Sequence, residues 1–381
     1  MRPEPFTIAV PDADLADLRA RLARARWPDA IPCAWADGTD RDWLQEACRY
    51  WADGFDWRAQ EAQLNGFAQC RMELDGLPVH FVHERSPEPD AAPLLLVHGW
   101  PGSFVEFRHL IGPLTDPVAH GGRAEDAFHV VCPSIPGYGF SAAPASHAFN
   151  GRRVAETFAT LMAGLGYGRY FAQGGDWGSH VSTWLGALDP ACAGLHLNLV
   201  FARRPRNVAD PFEGVSDAER RRLEARNAAL RDGLGYQEIQ GTRPQTLGYG
   251  LHDSPVGLAA WILEKFHGWS DHDGDFTRAI SLDDALTNVS LYWFTGTITS
   301  SMRLYHAHRK HPPEPPVPER VEVPTAVGVF PGELYLPPRA WVERQYAVHH
   351  WREHPRGGHF AALEVPGLLL EDLRDAFRPL R

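Results

Sequence analysis

Leu15, Leu18 and Leu22 recur at helical spacing in a stretch otherwise rich in Arg and Ala. Trp43, Leu44, Cys48, Trp51 and Phe55 form a second periodic run. Both predict amphipathic helices, the first capped by Asp12 or Asp14 and ended at Trp27-Pro28. This segment, to about residue 75, precedes any chemistry and reads as a separate packing unit. From about residue 68 the period changes. FAQCRMEL and LPVHFVHE alternate as an antiparallel strand pair would. APLLLVHGW, FHVVCPSIPGYG and RYFAQGGDWG are short apolar runs, as expected of strands covered on both faces. VAETFATLMAGLG between them is helical in pattern, and AGLHLNLV follows another helix. Strands alternating with helices predict an α/β fold with a mostly parallel sheet.

Between about 201 and 318 the alternation stops. SDAERRRLEARNAALRD is charged and helical, and Ser254-Pro255 suits the start of a helix running through Trp261 and Phe266. The proline-rich HPPEPPVPE returns the chain to a strand, PTAVGVF, and GLLLEDLRDAF is the last helix. The expected domains are an extension at 1–75, a core at 76–200 and 319–381, and a helical lid at 201–318.

Chemistry concentrates at four places. Gly174-Gly175-Asp176-Trp177-Gly178 follows a predicted strand and precedes a predicted helix. Its spacing is that of the nucleophile elbow of the α/β-hydrolase fold, with Asp in place of Ser. HGWPGS, His98 to Ser103, ends an earlier strand, and there the Trp100 amide pairs with that of Trp177 as an oxyanion hole. His98 reads as a structural residue of that loop. His359, in PRGGHFAALEVP, comes last in chain order, as the base of this fold does, with His180 as its rival. Glu333, in FPGELY, is the carboxylate expected to orient it, ahead of Glu343 and Glu353.

An aspartate nucleophile attacking an sp3 carbon gives an ester, which water can cleave; a serine would give an ether. The elbow therefore points to epoxides or alkyl halides. An epoxide oxygen leaves as an alkoxide and needs an acid, which the lid tyrosines Tyr236, Tyr249, Tyr292 and Tyr305 offer. A haloalkane dehalogenase, with the Trp100 and Trp177 indoles holding halide, is the alternative enzyme. A non-catalytic binding protein on this scaffold is the other. Trp100, Pro101, Trp177, Trp293 and Phe294 are the expected substrate contacts, and the aromatic lid suggests an apolar or aromatic substrate.

The formal net charge of -11 argues against a nucleic-acid partner and gives no pull toward acidic membranes. Cys33, Cys48, Cys70, Cys132 and Cys192 are widely spaced without a CxxC pair, as in a reduced, cytoplasmic protein without structural zinc. MRPEPFTIAV has no long apolar run, so neither a signal peptide nor a membrane anchor is expected.

Together these motifs resemble the microsomal-type epoxide hydrolases and their bacterial relatives. PFTIAVPDADLADLRARLARARWPD resembles that family's N-terminal region, and HGWPGS, GGDWGS, DSPVGLAAWILEKF, LYWFTGTITSS, FPGE and RGGHFAALEVP resemble its other motifs. The resemblance spans nearly the whole chain. It implies Asp176 as nucleophile, Glu333 as acid, His359 as base, and Tyr236 and Tyr305 as the lid acids. It also implies a cis peptide before Pro101. Water is the co-substrate, and neither metal nor organic cofactor is implied. A homodimer is left open.

Overall fold

The computed structural model describes residues 2–32, 34–206 and 208–381. Cys33 lies outside them; Cys48, Cys70, Cys132 and Cys192 are free thiols. Among the described residues nine strands form one sheet, in the order β1-β2-β3-β5-β4-β6-β7-β8-β9. These are β1 (Glu4–Pro5), β2 (Gln69–Leu74), β3 (Leu77–Glu84), β4 (Ala92–Val97), β5 (Phe128–Pro133), β6 (Tyr170–Gly174), β7 (Cys192–Leu197), β8 (Val321–Val329) and β9 (Tyr346–Glu353). β1, β2, β3 and β5 pair antiparallel; every other neighbouring pair is parallel. This is the α/β-hydrolase fold.

The central strands explain themselves. Leu94, Leu95, Leu96 and Val97 of β4 and Phe171 and Ala172 of β6 are all fully buried, because helices cover both faces. Burying each large apolar side chain contributes about 1.5–3 kcal/mol. The register Leu94 to Phe171 through Val97 to Gly174 ends both strands at one edge, where the loops carrying the chemistry emerge.

Helices α1 (Asp12–Ala23), α2 (Arg41–Asp53) and α3 (Trp57–Leu64) lie between β1 and β2. Asp12 and Asp14 sit in the first turn of α1 and do not cap it; Pro11 is the cap residue, without a side-chain bond. There they complement the helix dipole. The helix also stops short of Trp27-Pro28. In α2 the Asp40 carboxylate accepts from the Trp43 amide at 2.8 Å. Flanking the sheet are α4 (Arg108–Thr115), α5 (Gly151–Gly164) and α6 (Asp176–Leu188).

Among the described residues six α-helices lie between β7 and β8: α7 (Asp217–Gly233), α8 (Gly235–Thr242), α9 (Pro244–Asp253), α10 (Pro255–Trp269), α11 (Leu282–Thr295) and α12 (Ile298–Lys310). Ser254 caps α10, accepting from the Gly257 amide at 3.0 Å, with Pro255 in the first turn. The N-terminal helices are not a separate unit. Their buried faces join the same continuous core as the lid and the sheet. Arg21 pairs with Asp253 at 2.7 Å, Thr39 donates to the Ala260 carbonyl at 2.8 Å, and Trp51 Nε1 donates to Ser290 Oγ at 2.8 Å. The N-terminal segment thus straps the lid. No helix among the described residues is long and apolar enough to cross a membrane.

After β8 come α13 (Arg339–Gln345), α14 (Ala361–Glu364) and α15 (Pro366–Phe377). Asp372 of α15 is fully buried and takes His196 of β7 at 3.0 Å, His350 of β9 at 2.6 Å and His354 at 3.0 Å. Burial alone would raise this carboxyl, but the three imidazoles outweigh it and hold it far below the usual carboxylate range. Asp372→Ala would leave three ring nitrogens without their acceptor, so it should lose about 3 kcal/mol or more of stability, measurable by urea unfolding. A depressed carboxylate stabilises above its unfolded pKa and loses that contribution as pH falls toward its folded one. The difference between wild type and variant should therefore shrink on acidification.

Candidate active site

Asp176 stands at the turn from β6 into α6 with φ 49°, left-handed backbone that a non-glycine residue adopts only under constraint. The constraint is the close packing of α6 on β4. A Cβ on Gly178 would lie 1.8 Å from the Val97 carbonyl oxygen, so only glycine lets the helix come this near. The turn lifts the Asp176 carboxylate off the strand edge.

One carboxylate oxygen, Oδ1, accepts from the Trp100 amide at 2.7 Å. The Trp177 amide follows in the first turn of α6, among the helix N–H groups that have no intrahelical acceptor. The peptide before Pro101 is cis, as the resemblance implies. His98 Nδ1 lies 3.0 Å from the Gly99 carbonyl, and the Ile135 amide donates to its Nε2 at 3.1 Å. Burial pushes its pKa down to about 4, so it is a neutral brace for this loop.

The other carboxylate oxygen, Oδ2, lies 3.6 Å from His359 Nε2. His359 Nδ1 meets Glu333 Oε1 at 2.7 Å, the same oxygen that accepts from the Leu334 amide at 2.6 Å. Asp176, His359 and Glu333 thus form one chain, with Glu333 fully buried. Burial works against charge on His359, but the two carboxylates prevail and hold its pKa well above the usual range. Glu343 and Glu353 lie elsewhere, paired with Arg339 at 2.7 Å and Arg222 at 3.3 Å on the surface.

The turn bearing His359 is held by two carboxylates that the sequence did not flag. Glu364 accepts from the Asp271, Gly358 and Phe360 amides at 2.7–2.9 Å. Asp271 accepts from the Gly357 amide at 2.7 Å, and the His359 amide donates to the Trp269 carbonyl at 2.9 Å. These partners are backbone groups, so no side-chain motif announces them.

Above Asp176 is a cavity of about 590 Å³ between α6, the lid and the loop after β7. Trp177, Tyr236 and Tyr305 line it, with Leu199, Leu230 and Val317 further out. Tyr236 lies parallel to the Trp100 ring at 5.3 Å, and Tyr305 meets Trp100, Trp177 and Tyr236 edge-on. Burial raises both phenol pKa values, so both keep their protons at neutral pH. The Tyr305 hydroxyl is buried, without a hydrogen-bond partner among the described residues. Tyr249 is exposed, and the Tyr292 hydroxyl is committed to the Gly102 carbonyl at 2.8 Å.

Of the expected substrate contacts only Trp177 lines this cavity; Trp100 and Pro101 are not among its lining residues, and Trp293 and Phe294 turn elsewhere. The Trp293 ring faces the Arg21 guanidinium at 5.7 Å, and Phe294 packs on Trp57 at 5.0 Å. Phe294 also borders a separate surface groove of about 940 Å³ that does not reach Asp176. Both side chains leave α11 toward the N-terminal segment. His180, the rival base, lines the cavity, edge-on to Trp177 and His308. Burial pushes its pKa down to about 3, and no carboxylate among the described residues pairs with it, so it lacks the chain that His359 has. No group of three or more His, Cys, Asp or Glu side chains suited to a metal occurs among the described residues.

Residues 3–107 match the family described as "Epoxide hydrolase N terminus", and residues 92–220 match "alpha/beta hydrolase fold". The chain is 40% identical to epoxide hydrolase 1 of Sus scrofa, over 97% of this chain and 87% of that protein. The Aspergillus niger epoxide hydrolase structure is similar with a TM-score of 0.89 at 35% identity, covering 100% of this chain and 97% of that one. For the juvenile hormone epoxide hydrolase of Bombyx mori the TM-score is 0.90 at 31% identity, covering 100% and 95%.

Proposed function

The chain belongs to the epoxide hydrolase family, and on that footing we propose that it converts an epoxide to a vicinal diol through an ester on Asp176. The observation that carries this reading is the division of the Asp176 carboxylate. Oδ1 is held by the Trp100 amide, while Oδ2 faces His359 at 3.6 Å, and Asp176 lines the cavity.

Oδ2 attacks an epoxide carbon, the ring C–O bond breaks, and a phenol of Tyr236 or Tyr305 protonates the departing oxygen. Water, losing a proton to His359, then attacks the carboxyl carbon. The negative charge formed on Oδ1 falls to the Trp100 and Trp177 amides. When the Cγ–Oδ2 bond breaks, the diol leaves with Oδ2 and takes the proton from His359. The proton remaining on the regenerated carboxyl restores the tyrosine. Glu333 stabilises the imidazolium throughout.

An alkyl halide is served less well. The Trp100 indole N–H is buried and unpartnered among the described residues, as a halide would need, but so is the Tyr305 hydroxyl, and only an epoxide oxygen needs its proton. The leucines and Val317 along the cavity favour an apolar or aromatic epoxide.

One turnover in ¹⁸O-water with enzyme in excess tests the ester. The first diol should be unlabelled, and the label should appear in the peptide bearing Asp176. Label in that first diol would mean that water opens the ring directly.

A further inference from the structure

Beside Asp176, and separate from the large cavity, is a small chamber of about 20 Å³, room for one water. Its wall includes Asp176 and His359, together with Glu106, Gln173 and Asn198. Among the lining residues only Asp176 borders both spaces. The mechanism above gives no task to Glu106 or Gln173.

Two observations mark the chamber as polar by construction. Gln173 donates through Nε2 to Asn198 Oδ1 at 2.8 Å, yet its Oε1 is buried without a partner among the described residues. Leaving such an acceptor unmet costs about 1–3 kcal/mol, and a water in the chamber would meet it. The second is Glu106. Its carboxyl group occupies space opened by Gly102, where a Cβ would stand 1.4 Å from Glu106 Oε1. Burial pushes this carboxyl up to about 8, against the pull of the His359 imidazole. Backbone hydrogen bonds at Gly99 and Ser103 also favour its charged form.

We infer that the chamber seats the hydrolytic water and that Glu106, with Gln173, holds it for His359. This rests on the ester reading and assigns where its second step begins. The water gives one O–H to His359 Nε2 and shares the other between a Glu106 oxygen and Gln173 Oε1. Its lone pair then faces the Asp176 carboxyl carbon across one face of the ester plane. The bond made is water oxygen to Cγ, and the bond broken is Cγ–Oδ2. The same water position is useless for opening the epoxide, which lies across the carboxylate.

Glu106 is thus a positioning residue for hydrolysis alone, and rapid quenching separates the half-reactions. In Glu106→Ala, alkylation of Asp176 should keep its wild-type rate, while ester hydrolysis slows roughly 10- to 100-fold. kcat and KM should fall together, leaving kcat/KM unchanged. Glu106→Gln keeps an acceptor oxygen and should recover most of the hydrolysis rate. If Glu106→Ala does not fold, Gln173→Ala removes the other acceptor and should show the same split. Hydrolysis at the wild-type rate, or equal slowing of both steps, overturns the assignment. An enzyme that never shows an adduct, wild type included, overturns the ester reading instead.

Discussion

His359→Gln should take up one equivalent of epoxide and then stop. The alkylation step asks nothing of the imidazole, because Asp176 is the nucleophile and the lid phenols supply the proton. Hydrolysis asks for a base, and removing it should slow that step roughly 10²- to 10⁴-fold. Intact-protein mass spectrometry should find the variant heavier by one substrate, and digestion should place the addition on Asp176. A variant that stays unmodified while the wild type turns over would give His359 another role. The wild type should also show a pH signature. In the free enzyme, burial opposes charge on His359 while the Glu333 and Asp176 carboxylates sustain it. Alkylation removes the Asp176 charge, so the imidazole binds its proton less tightly in the ester than before. Hydrolysis should therefore fail as pH drops through that lower value, and kcat should fall with it. Single-turnover ester decay measured across acid and neutral pH tests this.

Replacing both lid acids should stop the reaction one step earlier. Tyr236→Phe and Tyr305→Phe alone leave one donor each in a shared cavity, and each should keep part of the alkylation rate. The double variant leaves the epoxide oxygen to depart as a naked alkoxide in an apolar space, so alkylation should fall roughly 10²-fold or more. No adduct should build up even with His359→Gln added, which separates this defect from loss of the base. Wild-type single-turnover alkylation by the double variant would remove the tyrosines from the mechanism.

Much of this was legible because it is local. The apolar runs at Leu94–Val97 and Phe171–Gly174 are strand-length and bounded by glycine, and both are central strands. Gly174 to Gly178 carries its own turn and places Asp176 at the strand edge. His359 stands out by order in the chain, although the contact with Glu333 is formed by the fold. What was not legible depended on direction or on partners without side chains. Trp293 and Phe294 follow Tyr292 on α11, and each step turns about 100° around the helix. Tyr292 reaches the Gly102 carbonyl, whereas the next two rings turn to Arg21 and Trp57. An aromatic count cannot distinguish those faces. Glu364 acts on amides alone, and Glu106 owes its surroundings to a glycine and two distant strands. The helical period of the first 60 residues announced a buried face but could not say what buries it.

That last point bears on how the protein is made. Trp51 meets Ser290 across 239 residues of chain, and Arg21 meets Asp253 across 232. A ribosome adding roughly 5–20 residues per second needs roughly 12 to 48 s to cover the longer gap. For that interval Leu44, Cys48 and Trp51 have no lid to lie against, only α1, solvent or whatever attends the nascent chain. Slower translation would lengthen this exposure, and the yield of native enzyme should then depend on the pace of synthesis as well as on final stability.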